Sequence, residues 1–164
     1  MAEADATALS ALNRTGPLFR FRDWPNPVIP LVAAGVYTIW RGDDFIYVGM
    51  AGRGLSEDGA RATTENGGRK GLADRLASHA SGRRSGDQFC VYVADRLVLP
   101  GLAADEIAAI GKGALSLDTK VREYVREHLA YRFTVTRDGV SAFELERAIQ
   151  GGAMSPGKPI LNPL

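Results

Sequence analysis

Several groups on which protein chemistry commonly relies are scarce in this chain. Among 164 residues there is one cysteine, Cys90. A lone cysteine excludes an intrachain disulfide and a thiolate metal cluster, and its apolar neighbours mark it as a small buried hydrophobe. Net charge is nearly absent as well: at +1 the molecule is no polycation that gathers nucleic acid by bulk attraction. No apolar run is long enough to span a bilayer, and the opening Met1-Ala2-Glu3-Ala4-Asp5 lacks a basic segment. An ordinary secretory signal is thereby disfavoured, and a cytoplasmic protein without a membrane partner is the expectation. With 45% apolar and 24% charged residues, the composition is that of a globular domain long enough to bury a real core.

What the chain does have is a conspicuous hairpin signal. Gly35-Val36-Tyr37-Thr38-Ile39-Trp40-Arg41 and Phe45-Ile46-Tyr47-Val48-Gly49 are two β-branched and aromatic runs around a polar Gly42-Asp43-Asp44 tip. Each run carries a tyrosine close to a glycine, and the register decides whether the tyrosines meet. A two-residue loop at Gly42-Asp43 pairs Tyr37 with Val48 and sends the rings to opposite faces. A three-residue loop, or a bulge of the same effect, pairs Tyr37 with Gly49 and Ile39 with Tyr47, and both rings then share one face. The odd register is predicted, with Gly49 leaving room over Tyr37 for a phosphate. By itself the hairpin settles nothing, because strand tyrosines more often simply pack a helix.

Charge is uneven along the chain. Between Arg53 and Arg84, seven basic residues (Arg53, Arg61, Arg69, Lys70, Arg75, Arg83, Arg84) stand against four acids (Glu57, Asp58, Glu65, Asp74), a local excess of +3. A modest patch of this kind suits a polyanion that is held and released, although charged surface loops are common without one.

Around these features the rest of the chain falls into place. Residues 1–32, with Phe19, Phe21, Trp24, Pro25, Pro27 and Pro30, are expected as an extended arm packed on a single domain of residues 33–164. Residues 51–70, rich in glycine, are expected as a long surface loop that contacts substrate. Leu72, Ala73, Leu76, Ala77 and Ala80 predict a helix over 71–81 that stops at Gly82 and sets Arg75 one turn before His79. Such a pair can grip a phosphate from two points, or be a solvated flank. Phe89, Val91 and Val93 alternate with Cys90, Tyr92 and Ala94, which predicts a strand over 88–98. Two helices follow, Leu102 to about Ile110 and one capped by Asp118, the latter bearing a structural His128; residues 131–136 then form a strand.

In the helix of residues 141–150, Ser141 and Glu144 fit a capping box. Glu146 lies beside Leu145, Ala148 and Ile149 near the buried edge, where a carboxylate usually holds a cation; a salt bridge and a metal are equally open. In the tail, Ile160 and Leu161 predict docking, and Asn162 suits a turn.

Taken in order, Gly35-Val36-Tyr37, Tyr47-Val48-Gly49, Leu72-x-x-Arg75-Leu76-x-x-His79, Glu146-x-x-Ile149 and Pro159-x-Leu161-Asn162 resemble the GIY-YIG endonuclease family, closest to its restriction-enzyme-like branch. Each piece is weak alone and the ordered set is specific. It covers roughly residues 33 to 162, with insertions at about 51–70 and 98–130, where substrate preference usually lives. The resemblance implies an α/β (α+β) fold: a small antiparallel sheet of three to four strands flanked by helices. It also implies a divalent-metal-dependent endonuclease that hydrolyses phosphodiester bonds in nucleic acid, DNA ahead of RNA.

Carried over onto this sequence, the family's catalytic positions are Tyr37, Tyr47, Arg75, His79, Glu146 and Asn162. Glu146 holds one Mg²⁺ or Mn²⁺ ion, and Tyr37 is the general base, as a phenolate or through a water. Arg75 neutralises the phosphoryl oxygens, Tyr47 and His79 hold the scissile phosphate or relay a proton, and Asn162 orients the site. Gly49, Arg53, Arg69, Lys70 and Arg83 are the expected substrate contacts. The alternatives are a non-catalytic nucleic-acid-binding module on the same scaffold and a purely structural or protein-binding domain.

Overall fold

The computed structural model describes residues 2–164, with side chains from residue 6 onward. Its helices are α1 (Ala2–Leu12), α2 (Glu57–Glu65), α3 (Leu72–Ser81), α4 (Gln88–Val93), α5 (Ala104–Gly111), α6 (Leu117–His128) and α7 (Gly139–Gln150). Its strands are β1 (Phe19–Arg20), β2 (Val32–Ala33), β3 (Gly35–Arg41), β4 (Asp44–Ala51), β5 (Lys70–Gly71) and β6 (Ala130–Val135). The fold class is as expected: an antiparallel sheet of four strands in the order β1-β6-β3-β4, flanked by helices, with β2 and β5 forming a separate parallel pair.

The hairpin reaches the expected register by way of a bulge. Gly42, at φ +58°, makes a two-residue loop with Asp43, and Arg41 pairs with Asp44 and Trp40 with Phe45. The pairing then slips, Ile39 facing Tyr47 and Tyr37 facing Gly49, with Ile46 as the extra residue. That one residue brings both tyrosines to a single face.

The sheet divides two apolar layers. On one side Tyr37, Ile39 and Tyr131 pack with Leu72 and Leu76 of α3, Phe89 and Val93 of α4, and Val121 and Val125 of α6. On the other, Val36, Trp40 and Val48 meet Leu12 of α1, Ala142 and Ile149 of α7, and Met154. β3 is buried on both faces from Gly35 to Trp40, its successive side chains entering the two layers in turn.

Five segments differ from expectation. The first part of the arm is helical, because its alanines favour a helix and Leu12 anchors it in the core, its carbonyl accepting the Thr38 hydroxyl at 2.8 Å. The arm then adds β1 to the sheet and lodges Trp24 edge-on against Tyr131. Within 51–70, Ser56 caps α2 by accepting from the Gly59 N–H, so the glycine-rich stretch contains a solvated helix rather than an unbroken loop. Residues 88–98 are helical, not a strand: Asp87 caps α4, and Phe89, Cys90, Val93 and Ala94 are buried at helical spacing, with a wide π turn over Ala94–Val98. Finally, Asp138 caps α7 by accepting from the Ser141 N–H, which displaces the Ser141–Glu144 box and leaves Glu144 exposed. Ser116 stands at the N-cap position of α6 in place of Asp118, which pairs instead with Arg84 at 2.6 Å.

The tail docks on the outer edge of β4. Ile160 and Leu161 donate their N–H groups to the carbonyls of Phe45 and Ile46 at 3.1 and 2.8 Å. No helix among the described residues is long and apolar enough to cross a membrane.

Candidate active site

β3 and β4 place Tyr37 and Tyr47 side by side, their rings stacked with centroids 6.4 Å apart. Tyr37 is 1% exposed and Tyr47 half-buried. Gly49 is needed where it stands, because a Cβ there would lie 2.3 Å from the Tyr37 hydroxyl. The space left by the missing side chain is thus filled by Tyr37 itself rather than kept for a phosphate.

His79 comes to the pair from α3, whose apolar stripe turns the imidazole inward to 1% exposure. Its Nε2 lies 2.7 Å from the Tyr37 hydroxyl and its Nδ1 lies 2.6 Å from Oδ2 of Asp87. Phe89 packs against the ring at 4.6 Å between centroids and holds its plane. Asp87 is fully engaged: Oδ2 also accepts from the Ser78 hydroxyl at 2.9 Å, and Oδ1 accepts from the N–H groups of Phe89 and Cys90 at 3.1 and 3.3 Å.

Burial dominates the electrostatics of this interior. It pushes the Tyr37 phenol well above its ordinary pKa, and the nearby Arg75 cation does not reverse that. Tyr47 is raised for the same reason. His79 is lowered by burial despite the adjacent carboxylate, hence neutral near pH 7. Asp87 is raised by burial, but the hydrogen bonds from His79, Ser78 and the backbone outweigh this and leave it below the ordinary carboxylate range, ionised. A phenolate at Tyr37 therefore does not match its surroundings, which hold a neutral hydroxyl.

The outer part of the site is charged and open. Arg75 is exposed on α3 and makes no hydrogen bond or ion pair among the described residues. It lines a pocket of about 240 Å³ with Ala51, Gly52, Gly71, Asp74 and Ser78. Glu146 reaches the β4 edge from α7, where it accepts from the Met50 N–H and feels the charges of Arg53, Arg147 and Arg75. Burial raises its pKa above the ordinary value, and no cationic side chain among the described residues forms an ion pair with it. Arg53 comes close because Gly139, at the start of α7, lets the 52–53 backbone approach, and its guanidinium lies 4.5 Å above the Phe143 ring.

The remaining expected residues are less central. The Asn162 amide grips the Val48 backbone at two points, donating to its carbonyl at 2.7 Å and accepting from its N–H at 3.2 Å, so it supports the strand between Tyr47 and Gly49. Arg69 is tied to Asp74 at 2.5 Å on the pocket rim. Lys70 is exposed in β5, and Arg83 is exposed beyond the end of α3, outside the tyrosine cluster.

Two carboxylates can be weighed as cation ligands. His79, Asp87 and Cys90 have ligand atoms within 4.8 Å of one another. Two ligands on a tetrahedral zinc stand roughly 3.3 Å apart, whereas Nδ1 and Oδ2 are 2.6 Å apart and share a proton. Burial also keeps the Cys90 thiol protonated. Glu146 fits better, because a half-buried carboxylate with one backbone partner and no ion pair among the described residues retains lone pairs for a hard cation.

Asp87 and Ser78 escaped the sequence reading. The available signal was Asp87 directly before an apolar run, the N-cap pattern, which gains chemical meaning only once α3 brings His79 alongside. No family model, curated protein or solved structure matches the chain.

Proposed function

We propose that this protein is an endonuclease of the GIY-YIG type, hydrolysing phosphodiester bonds in nucleic acid, DNA ahead of RNA, with one divalent ion on Glu146. The observation that carries the reading is convergence. Tyr37 with Tyr47, His79 on Tyr37, and Arg75 and Glu146, neither with an ion-pair partner among the described residues, meet at one strand edge from the hairpin, α3 and α7.

Each group has a task in phosphodiester hydrolysis. Arg75 neutralises charge developing on the non-bridging oxygens, with Arg53 guiding the polyanion. Glu146 would hold Mg²⁺ or Mn²⁺, which would supply Lewis-acid charge stabilisation when bound. Tyr37 acts as a neutral hydroxyl that passes its own proton to His79 as it takes one from the attacking water. Tyr47, less buried and stacked on Tyr37, positions the phosphate, and Asn162 holds the strand that carries it.

One observation favours a second reading. Tyr37 is only 1% exposed, and a hydroxyl so enclosed suits a non-catalytic nucleic-acid-binding module on the same scaffold. The two readings separate in a cleavage assay of wild type beside Glu146→Ala on plasmid, single-stranded DNA and RNA with Mg²⁺, Mn²⁺ or EDTA. Metal-dependent cutting that the variant loses is the expected result. Salt-dependent binding without turnover in any metal establishes the binding module instead, and wild-type cutting by Glu146→Ala overturns the metal assignment.

A further inference from the structure

We propose that Asp87 is a positioning residue which fixes His79 as the Nδ1–H tautomer, so that Nε2 is held as acceptor for the Tyr37 hydroxyl proton. The inference deepens the nuclease reading and rests on it for its catalytic consequence, but the tautomer itself belongs to the protein at rest.

The argument is one of hydrogen-bond valence. An ionised carboxylate only accepts, so the 2.6 Å contact to Oδ2 requires a proton on Nδ1. A neutral imidazole then has a bare lone pair at Nε2, and the 2.7 Å contact to Tyr37 must run from O–H to nitrogen. Asp87 has no freedom to do otherwise. Its two oxygens accept four hydrogen bonds, from His79, Ser78 and the N–H groups of Phe89 and Cys90. The cap on α4 thus orients the carboxylate that orients the histidine.

In the reaction, the water oxygen bonds to phosphorus while one water proton moves to the Tyr37 oxygen and the Tyr37 proton moves to Nε2. The phosphorus bond to the leaving oxygen breaks, and that oxygen takes its proton from solvent. His79 ends as an imidazolium facing the Asp87 carboxylate, which stabilises it.

The decisive substitution is Asp87→Asn. Asparagine is as good an N-cap as aspartate, so the amide oxygen keeps the bonds to Phe89 and Cys90 and the fold survives. Its NH₂ then faces Nδ1 and forces the proton to Nε2, which can no longer accept from Tyr37. The chain has two histidines, His79 and the exposed His128, so ¹⁵N imidazole spectra of the ligand-free protein are readily assigned with a His128→Gln variant. Wild type is expected to show His79 protonated at Nδ1, Asp87→Asn to show it protonated at Nε2, and Ser78→Ala to keep the wild-type tautomer. Cleavage by Asp87→Asn is expected to fall by at least ~10²-fold, the scale of a lost general base. An Nε2–H tautomer in wild type overturns the proposal, as does an unchanged tautomer or undiminished cleavage in Asp87→Asn. Should wild type cleave no substrate, the spectra still decide whether Asp87 sets the tautomer, and only the nuclease reading falls.

Discussion

Beneath the edge of β4, Tyr37, His79 and Asp87 are buried and bonded in series through His79, whereas Arg75, Arg53 and the half-buried Glu146 hold charge without ion-pair partners among the described residues. In the interior, desolvation permits one protonation pattern and the packing enforces it. Water solvates the exposed Arg75 and Arg53, so they cost the fold little and await an anion, whereas the half-buried Glu146 is partly desolvated. The interior thus bears on stability and proton movement together, and the two exposed arginines on binding and charge stabilisation alone.

That contrast can be broken most sharply at Arg75. Arg75→Ala is expected to lower cleavage about a hundredfold, or ~2.7 kcal/mol of transition-state stabilisation, with the melting temperature unchanged. A loss below threefold, or a marked fall in melting temperature, would erase the distinction between the two halves. Gly49→Ala tests the interior. Its new Cβ would lie 2.3 Å from the Tyr37 hydroxyl, and overpacking of this kind costs about 1–3 kcal/mol. The urea midpoint is expected to drop, and an unchanged midpoint would mean that the Tyr37 ring yields freely.

The smallest effect is in the dependence of stability on pH. The pKa of His79 is lowered on folding, so near its ordinary value of about 6.5 the unfolded chain binds more protons. Its contribution is therefore present above that pH and lost as the pH falls through the folded value. Tyr37 is raised, so its contribution is present below about pH 10 and lost as the pH rises through its folded value. Glu146, also raised, acts in the opposite sense to His79 on the acid side. Denaturation midpoints of wild type and Glu146→Gln across this range check the signs. Midpoints in the variant that do not fall below about pH 6.5 would mean that His79 is not held neutral.

The hairpin, α3, β6 and the docked tail were legible because each rests on a local signal that nothing distant overrides. The tyrosine register needed only the parity of a turn, and Gly82, at φ +71°, stops α3 where the apolar stripe ends. The stretch after Asp87 was not legible, since an unbroken run such as Phe89 to Ala94 satisfies a period of two as well as a helical one. Only the sheet, with its face already filled by α3 and α6, decides between them. The same ambiguity conceals half of the interior site, for without a helix there Asp87 has neither cap nor histidine to serve.

The grip of Asn162 on Val48 joins residues 114 positions apart in the chain. A hairpin of this size closes in about 1–10 μs, but bringing its outer edge to the tail requires closing a far longer loop at greater entropic cost. The two tyrosines are therefore paired early in folding, while the strand between them and Gly49 is braced only when the last contacts form. A partly folded chain carries the chemical groups without the support that holds them in line, which ties competence to the final step of folding.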